Sequence, residues 1–379
     1  MPPDYDVVIA GAGIIGASIA YHLSRLGVSV LLLDKSGPSS AATGSADGAV
    51  SVCSKKHQIT SDFASNGLEY FGSLSKSGGI LEDVFKLRPS FYFATNDAEV
   101  EVLDNLKDKL TASSGPVRVV KDAFGSTAIP GLGSCVNRVV EISGEGHMIG
   151  YFAVNRFLDD PKITKRWPCE VIGFEETSGT VVVLTDRGEV SGRHFVLATG
   201  TSASKLVPHL PITPRAGQLI ITDRGANECA LPGNLVSASY LLSKSRKGAA
   251  PQAPPVVIDP LLTGQFLVGS SREEHGFTNR TDFATVKSLL TRATQCFEPL
   301  SDRKILRVFS GVRAAVSDGR PIIGSVSETS RVIVATGFEG DGISLSAIVG
   351  REVANMISGA SVLPIVDSFS PQRFVKSGM

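Results

Sequence analysis

The apolar residues of the first 35 positions fall into two short runs with a helix-spaced set between them. Val7–Ala10 form a continuous apolar run, the pattern of a short buried strand. Ile14–Leu26 then carry apolar residues at helical spacing, interrupted by His22 and Arg25. Gly27 stops that helix, Val28–Leu33 supply a second buried strand, and Asp34 ends it. Between the first strand and the helix, Gly11, Gly13 and Gly16 stand at the spacing G-x-G-x-x-G. Strand, glycine turn, helix, strand and acid in this order predict a dinucleotide-binding unit. Gly11 permits the tight turn, Gly13 lets the backbone approach a pyrophosphate, and Gly16 lets helix and strand pack closely. The helix start at Ile14 and Ile15 offers unpaired N–H groups and the positive end of a dipole to phosphates. Asp34, followed by Lys35, lies about 20 residues past the glycines, where such an acid accepts hydrogen bonds from a ribose diol.

The same patterning organises the rest of the chain. A small-residue loop, Ser36–Val50, follows the ribose strand; its hydroxyls and glycines (Ser40, Thr43, Gly44, Ala46, Asp47, Gly48) suit phosphate contacts and the approach of a flat ring. Helices are expected over 60–76 and Glu99–Ser113, and a strand over Phe85–Thr95 that enters a different sheet. Short strands and turns alternate over 117–142. A second α/β stretch has a helix at Tyr151–Leu158, short strands at Lys162–Arg166 and Cys169–Phe174, and a hairpin turning at Asp186-Arg187-Gly188 between Thr180–Thr185 and Glu189–Ser191. His194–Gly200 (HFVLATG) reads as another buried strand, ending at Thr199 and Gly200. Leu219–Thr222, Val256–Ile258 and Gln265–Gly269 have antiparallel character, with a helix at Asp282–Cys296. Ser243–Pro255, rich in Pro, Ala and Gly with three cations, is expected to be a mobile loop open to solvent or a partner. A last strand, Arg331–Thr336, meets a glycine-rich turn, Gly337–Gly342, and a helix from Ile343 to Ile357. That turn cannot hold a second dinucleotide and suits the far end of the first one's cofactor. The expected fold class is α/β, with a Rossmann-type nucleotide domain (1–80, 143–207 and 305–379) interleaved with an α+β substrate domain (81–142 and 208–304) built on a mostly antiparallel sheet.

Charge and cysteine content narrow the function classes. The 379 residues carry 37 Lys+Arg and 37 Asp+Glu, so no basic field attracts nucleic acid or an anionic membrane. No apolar run reaches the length of a membrane span. A start without a cationic leader predicts a cytoplasmic protein. The five cysteines (Cys53, Cys135, Cys169, Cys229, Cys296) form no C-x-x-C, so no zinc knuckle, iron–sulfur cluster or disulfide-reductase pair is encoded.

The segments DYDVVIAGAGIIGASIAYHLSRLG, HFVLATG, SGVRAAVSDGRPIIG and VATGFEGDGIS resemble the D-amino-acid oxidase, glycine oxidase and sarcosine oxidase family of FAD oxidoreductases. GSADGAVSV, PRAGQLIITD and GQFLVGSSRE bring the resemblance nearest to the flavoprotein subunits of bacterial hydroxyproline, proline and opine dehydrogenases. The resemblance implies FAD with its adenosine half on Gly11–Gly16, Asp34 and Lys35. Ser40 and Thr43–Gly48 would run along the pyrophosphate and ring. Val171 would touch the adenine, with Thr199 and Gly200 alongside, and Gly337, Gly340, Asp341, Gly342 and Ile343 would touch the ribityl and pyrimidine end. Ser310-Gly311-Val312 stands where related enzymes tether the flavin, so the FAD is expected to be non-covalent.

The activity implied is oxidation of an amine beside a carboxylate by hydride transfer from the α-carbon to FAD, with the protein orienting the substrate and excluding water. Arg313 matches the position that binds the substrate carboxylate, a task suited to a guanidinium fork; the plain alternative is a surface pair with Asp318. Val257 stands where glycine oxidase-like members have a tyrosine, which leaves Tyr240 as a candidate substitute. Glu339 and Asp341 suit a cationic substrate head, although a helix cap is the preferred role for Asp341. Leu267 aligns with a lysine that promotes reaction with dioxygen, so electrons are expected to pass to other redox subunits of a heteromeric dehydrogenase. The rivals are a self-sufficient oxidase that makes hydrogen peroxide, a silent electron-relay subunit, and an NAD-linked dehydrogenase, which would leave the second glycine turn unexplained.

Overall fold

The computed structural model describes residues 3–112, 115–125, 128–225, 231–245, 254–273 and 280–375. Two eight-stranded sheets carry the fold. In the first, the strand order runs Val171–Glu176, Val181–Thr185, Gly188–Leu197, Tyr5–Ala10, Val30–Leu33, Ile163–Arg166, with Val332–Thr336 paired to Gly188–Leu197 and Ile322–Ser325 beyond it. Tyr5–Ala10 lies parallel to both Val30–Leu33 and Gly188–Leu197. The strand after the hairpin and the strand HFVLATG are one continuous strand. Its first half pairs antiparallel with Val181–Thr185, and its second half pairs parallel with Val332–Thr336. Gly192 permits the crossing: a Cβ there would stand 3.0 Å from the Val8 side chain and 2.9 Å from the His194 carbonyl oxygen.

The second sheet runs Ile305–Val316, Ile212–Thr222, Phe266–Gly269, Val257–Pro260, Asn234–Ser237, Ser90–Ala94, Arg138–Ser143, Arg118–Phe124. It is antiparallel except where Asn234–Ser237 lies along Ser90–Ala94. The single strand expected over Phe85–Thr95 is two, because Pro89 has no N–H to give a ladder. Phe85–Leu87 joins a small sheet with Gly146–Met148 and Ala49–Val50, while Ser90–Ala94 enters the second sheet. Ile305–Val316, on the nucleotide side of the expected division at 305, pairs along its length with Ile212–Thr222. By sheet membership the chain returns to the first sheet only at Ile322. Ser243–Pro255 lies largely outside the described residues; its start closes the helix Ala238–Ser245.

Helix Ile14–Arg25 buries nearly all its residues against helices Gly342–Ser358 and Gly150–Leu158. The packing is close: a Cβ at Gly350 would stand 2.1 Å from the Ser18 hydroxyl and 2.7 Å from His22 Nδ1. His22 is held there as a neutral imidazole. Its Nδ1 lies 2.7 Å from the Ser18 carbonyl oxygen and its Nε2 2.9 Å from the Tyr70 hydroxyl, an arrangement met by Nδ1 donating and Nε2 accepting. Burial pushes its pKa down to about 4. The unfolded chain therefore binds the proton first, so this contribution to stability is complete above pH 6.5 and is lost as pH falls towards 4. The loss should reach about 3 kcal/mol. Thermal melting across that window should show a decline that His22→Asn flattens; equal declines in both proteins would assign it to other groups.

Candidate active site

The two sheets meet at a cleft of about 510 Å³. One wall is the carboxyl end of the parallel strands, where open α/β sheets bind ligands. The glycine turn is set there by contact. A Cβ on Gly11 (φ 107°) would stand 2.3 Å from the Ala198 carbonyl oxygen, and one on Gly16 would stand 1.9 Å from the Gly11 oxygen. Gly13 is different, because its Cβ would meet only the Thr43 hydroxyl, at 3.2 Å. Gly11, Gly13, Ile14 and Ile15 line the cleft, whereas Gly16 lies behind it in the helix–strand contact. The helix start is less open than expected, since the Ile14 N–H donates to Thr43 Oγ1 at 3.0 Å.

Asp34 organises this turn. Its Oδ2 accepts from the Ala12 N–H, and its Oδ1 accepts from the N–H groups of Ser36 and Gly37, each at 2.8 Å. The acid, Lys35, Ser40, Thr43, Ala46, Asp47, Val171, Thr199 and Gly200 all line the cleft. Gly44 and Gly48 do not. A Cβ on Gly44 would stand 2.3 Å from the Ser39 carbonyl oxygen, and one on Gly48 (φ 90°) would stand 2.7 Å from His147 Nε2, so both shape the loop from behind. From the last glycine turn, Gly337, Gly340, Gly342 and Ile343 reach the cleft. Asp341 does not, and its carboxylate caps no N–H of the helix beginning at Gly342. It pairs instead with the buried Lys55 ammonium at 2.9 Å. Neither the capping role nor the substrate-facing role expected for Asp341 holds. Lys55 carried no signal in the sequence, because nothing local marks its partner 286 residues away.

Arg313 enters the cleft from the second sheet. Its Nη1 donates to the carbonyl oxygens of Ala216 (3.3 Å) and Ser271 (3.2 Å), and its Nη2 donates to Ser270 Oγ at 2.8 Å. Gly217 makes room for it, since a Cβ there would stand 2.4 Å from Nη1. Among the described residues no carboxylate pairs with Arg313, and Asp318 is taken by Arg373 and Arg320. The surface pair with Asp318 is therefore excluded. Burial lowers the guanidinium's pKa, and Arg272 nearby acts in the same direction. A group held this way has strong reason to take an anion.

Tyr240 lines the same end, from helix Ala238–Ser245; its hydroxyl oxygen is 3.9 Å from where a Gly340 Cβ would stand. Val257 and Leu267 are buried in the second sheet and are not among the residues lining the cleft. The alignment that set Leu267 beside the reacting ring is thus unsupported, and the cleft's lysines are Lys35 and Lys205. Glu339 lines the cleft too, but Arg215 Nη1 donates to it at 2.6 Å and Arg272 Nη2 also bonds it. A carboxylate shared by two guanidiniums is poorly suited to the cationic head expected for it. Arg215 and Arg272 were missed because each looks like an ordinary strand-end cation in sequence.

The residues present fit a flavin dinucleotide. The cleft offers glycine backbone where side chains cannot stand, a helix N-terminus, an acid at the ribose position, and a buried Thr199 hydroxyl with no partner. The model of the family DAO, FAD dependent oxidoreductase, matches residues 6–356. The chain belongs to this family and is an FAD-dependent oxidoreductase. It is 27% identical over 395 residues to the bifunctional protein ThiO/ThiG of Trichormus variabilis, covering 98% of this chain but 55% of that protein. The chain thus spans about half the length of that relative. It is 25% identical over 390 residues to an opine oxidase subunit of Rhizobium meliloti, covering 98% of each. The crystal structure of glycine oxidase from Geobacillus kaustophilus superposes with a TM-score of 0.86 at 21% identity, over 98% of this chain and 99% of that one. Among the described residues no helix is long and apolar enough to cross a membrane.

Proposed function

We propose that the chain oxidises the C–N bond of a small amino acid or secondary amine (an opine, a hydroxyproline or proline, or a D-amino acid) and works as one subunit of a heteromeric dehydrogenase. The observation that carries the reading is Arg313: a half-buried guanidinium fork with no carboxylate partner among the described residues, in the cleft that the glycine turn also lines. The substrate carboxylate would complete it, and the α-carbon would then be fixed at the cleft wall formed by Gly337–Ile343 and Ala46–Asp47. Tyr240 and Phe338 would close the site against water. FAD, when bound, supplies the two-electron acceptor for the C–H bond next to nitrogen.

The residues that would hold FAD without a covalent link are Gly11, Gly13, Ile14 and Ile15 at the pyrophosphate and Asp34 at the ribose. Asp34 Oδ2 keeps a lone pair beyond the one backbone N–H it accepts, whereas Oδ1 already accepts two. Lys35, Val171, Thr199 and Gly200 would border the adenosine side, and Ser40, Thr43, Ala46, Asp47, Gly337, Gly340, Gly342 and Ile343 the rest. At Gly311 there is no nucleophile, and its Cβ would meet Ser45 at 2.5 Å.

Electron transfer to other subunits is supported by the whole-length likeness to the Rhizobium meliloti opine oxidase subunit. Cys53, Cys135, Cys169 and Cys296 are free thiols, which suits a reducing compartment such as the cytoplasm. The second reading, a self-sufficient oxidase, draws on the likeness to glycine oxidase and on Arg313 itself as a cation for developing charge. Anaerobic addition of proline, hydroxyproline, opines and D-amino acids to the purified yellow protein tests the main reading. Bleaching, with turnover sustained by a dye but slow in air, is the expected result. Rapid stoichiometric hydrogen peroxide would favour the oxidase, and a flavin bleached by no amine would overturn both.

A further inference from the structure

Among the described residues four carboxylates line the cleft: Asp34, Asp47, Glu170 and Glu339. Three have other places. Asp34 accepts three backbone N–H groups at the glycine turn, and Glu339 is held between Arg215 and Arg272. Glu170 is exposed, just before the edge strand Val171–Glu176 of the first sheet. Asp47 remains. Its Oδ1 accepts from the Ala49 N–H at 3.2 Å, and its Oδ2 has no hydrogen-bond or ion-pair partner among the described residues. The backbone beneath it is pinned. His147 Nε2 donates to the Asp47 carbonyl oxygen at 3.1 Å and lies 2.9 Å from Oδ2 of the fully buried Asp259. The Met148 N–H donates to the Gly48 carbonyl oxygen at 2.8 Å.

The loop that carries Asp47 faces the Arg313 fork. Gly311 and Arg313 stand two residues apart on one strand and share a face of the second sheet. A Cβ on Gly311 would stand 2.5 Å from the Ser45 Cβ, so that face looks onto the loop of Ser45, Ala46 and Asp47. Burial is the main influence on the Arg313 pKa, downward, and the Tyr240, Glu339 and Asp47 side chains act on it upward, which places all three near the guanidinium. This part of the cleft thus holds a cation and an anion, neither paired with opposite charge among the described residues. A ligand with a carboxylate alone would satisfy Arg313 and set like charge before Asp47. A zwitterion with both charges on one carbon satisfies the two together. We infer that Asp47 takes the nitrogen of the substrate, its Oδ2 accepting an N–H of the ammonium while Arg313 holds the carboxylate, and that this pair selects α-amino acids over α-hydroxy acids of the same shape. The inference rests on the reading that Arg313 takes a substrate carboxylate. An α-hydroxy acid presents the same carboxylate but offers Asp47 only a neutral O–H, a weaker partner than a charged N–H.

Calorimetric titration of the holoenzyme with α-aminoisobutyrate and with α-hydroxyisobutyrate tests the pair without turnover. Both probes are achiral, and neither has an α-hydrogen to lose. The amino acid should bind at least about tenfold more tightly, the gain of a charge-assisted bond over a neutral one. Asp47→Asn keeps an oxygen for the Ala49 N–H but not the charge, and should bring the two affinities within about twofold with flavin content unchanged. A ratio near one in the unaltered protein, which needs no variant to fold, would overturn the inference. So would a ratio that survives Asp47→Asn, or loss of flavin from that variant, which would assign the carboxylate to the cofactor. Arg313→Leu separates this inference from the reading it rests on. If that variant binds α-hydroxyisobutyrate more weakly while the ratio in the unaltered protein is near one, the carboxylate site stands and the role of Asp47 falls. If it leaves both affinities unchanged, the carboxylate reading falls and the zwitterion pair with it. A ratio abolished by Asp47→Asn, in a protein whose flavin no amine bleaches, overturns amine oxidation and leaves the pair supported.

Discussion

Gly13→Val yields protein that folds and purifies without yellow colour. The backbone at Gly13 is extended (φ −75°, ψ 179°), a region valine accepts, so the substitution brings no backbone strain. The nearest atom to a Cβ there is the Thr43 hydroxyl at 3.2 Å, and the branched methyls would extend into the cleft between the glycine turn and the loop carrying Thr43. That is where a pyrophosphate must approach the backbone. The neighbouring glycines give a different outcome. Alanine at Gly11 or Gly16 drives a methyl to 2.3 Å or 1.9 Å from backbone oxygens, and the damage should fall on the fold itself. Absorbance at the flavin band together with a thermal melt separates the two cases. Full flavin occupancy with an unaltered melt in Gly13→Val would remove the glycine turn from the binding site.

The parts of this molecule readable in sequence are those whose cause is local. The strand, turn, helix and strand from Tyr5 to Leu33 follow from apolar period and glycine spacing within 30 residues, as does the turn at Gly337 before its helix. Phe85–Thr95 misleads because its apolar pattern continues across Pro89, and only the pairing of each half shows that it serves two sheets. Gly188–Leu197 misleads in the opposite way: the polar hairpin end and the apolar core end look like separate strands, yet one strand passes through both environments. At the site, Arg313 is marked by its position before the flavin turn. Its support is not, because Gly217 comes from a strand whose register with Ile305–Val316 cannot be inferred from either sequence alone, and Ser270 and Ser271 from the segment just after Phe266–Gly269. Lys55 with Asp341, and Arg215 and Arg272 with Glu339, are likewise products of tertiary pairing. An acid in a glycine-rich turn is equally consistent with a cap, a ligand for a cation or one arm of an ion pair, and only the distances choose.

Arg313→Leu is expected to keep its flavin and lose its substrate. Charge-assisted hydrogen bonds are worth roughly 1.5–3 kcal/mol each, so removing the fork should weaken binding of a carboxylate-bearing amine by about one to two orders of magnitude. The apparent KM for whichever amine bleaches the flavin reads that loss directly. Leucine also strips donors from the Ala216 and Ser271 carbonyls and from Ser270 Oγ, so a modest fall in Tm should accompany it. Arg313→Lys separates the two effects, since it restores a charge but not the planar pair of donors and should recover only part of the affinity. Gly217→Ala supplies the independent check. Its methyl would stand 2.4 Å from Nη1 and 2.6 Å from the Ser271 carbonyl oxygen, so it displaces the guanidinium while leaving Arg313 in the chain, and a thermal melt reads how far the sheet is disturbed as well. If the fork's position is what binds the substrate, this distant glycine and the arginine itself must raise KM together with flavin content unchanged. An unaltered KM in both variants would mean that the substrate carboxylate is held elsewhere in the cleft.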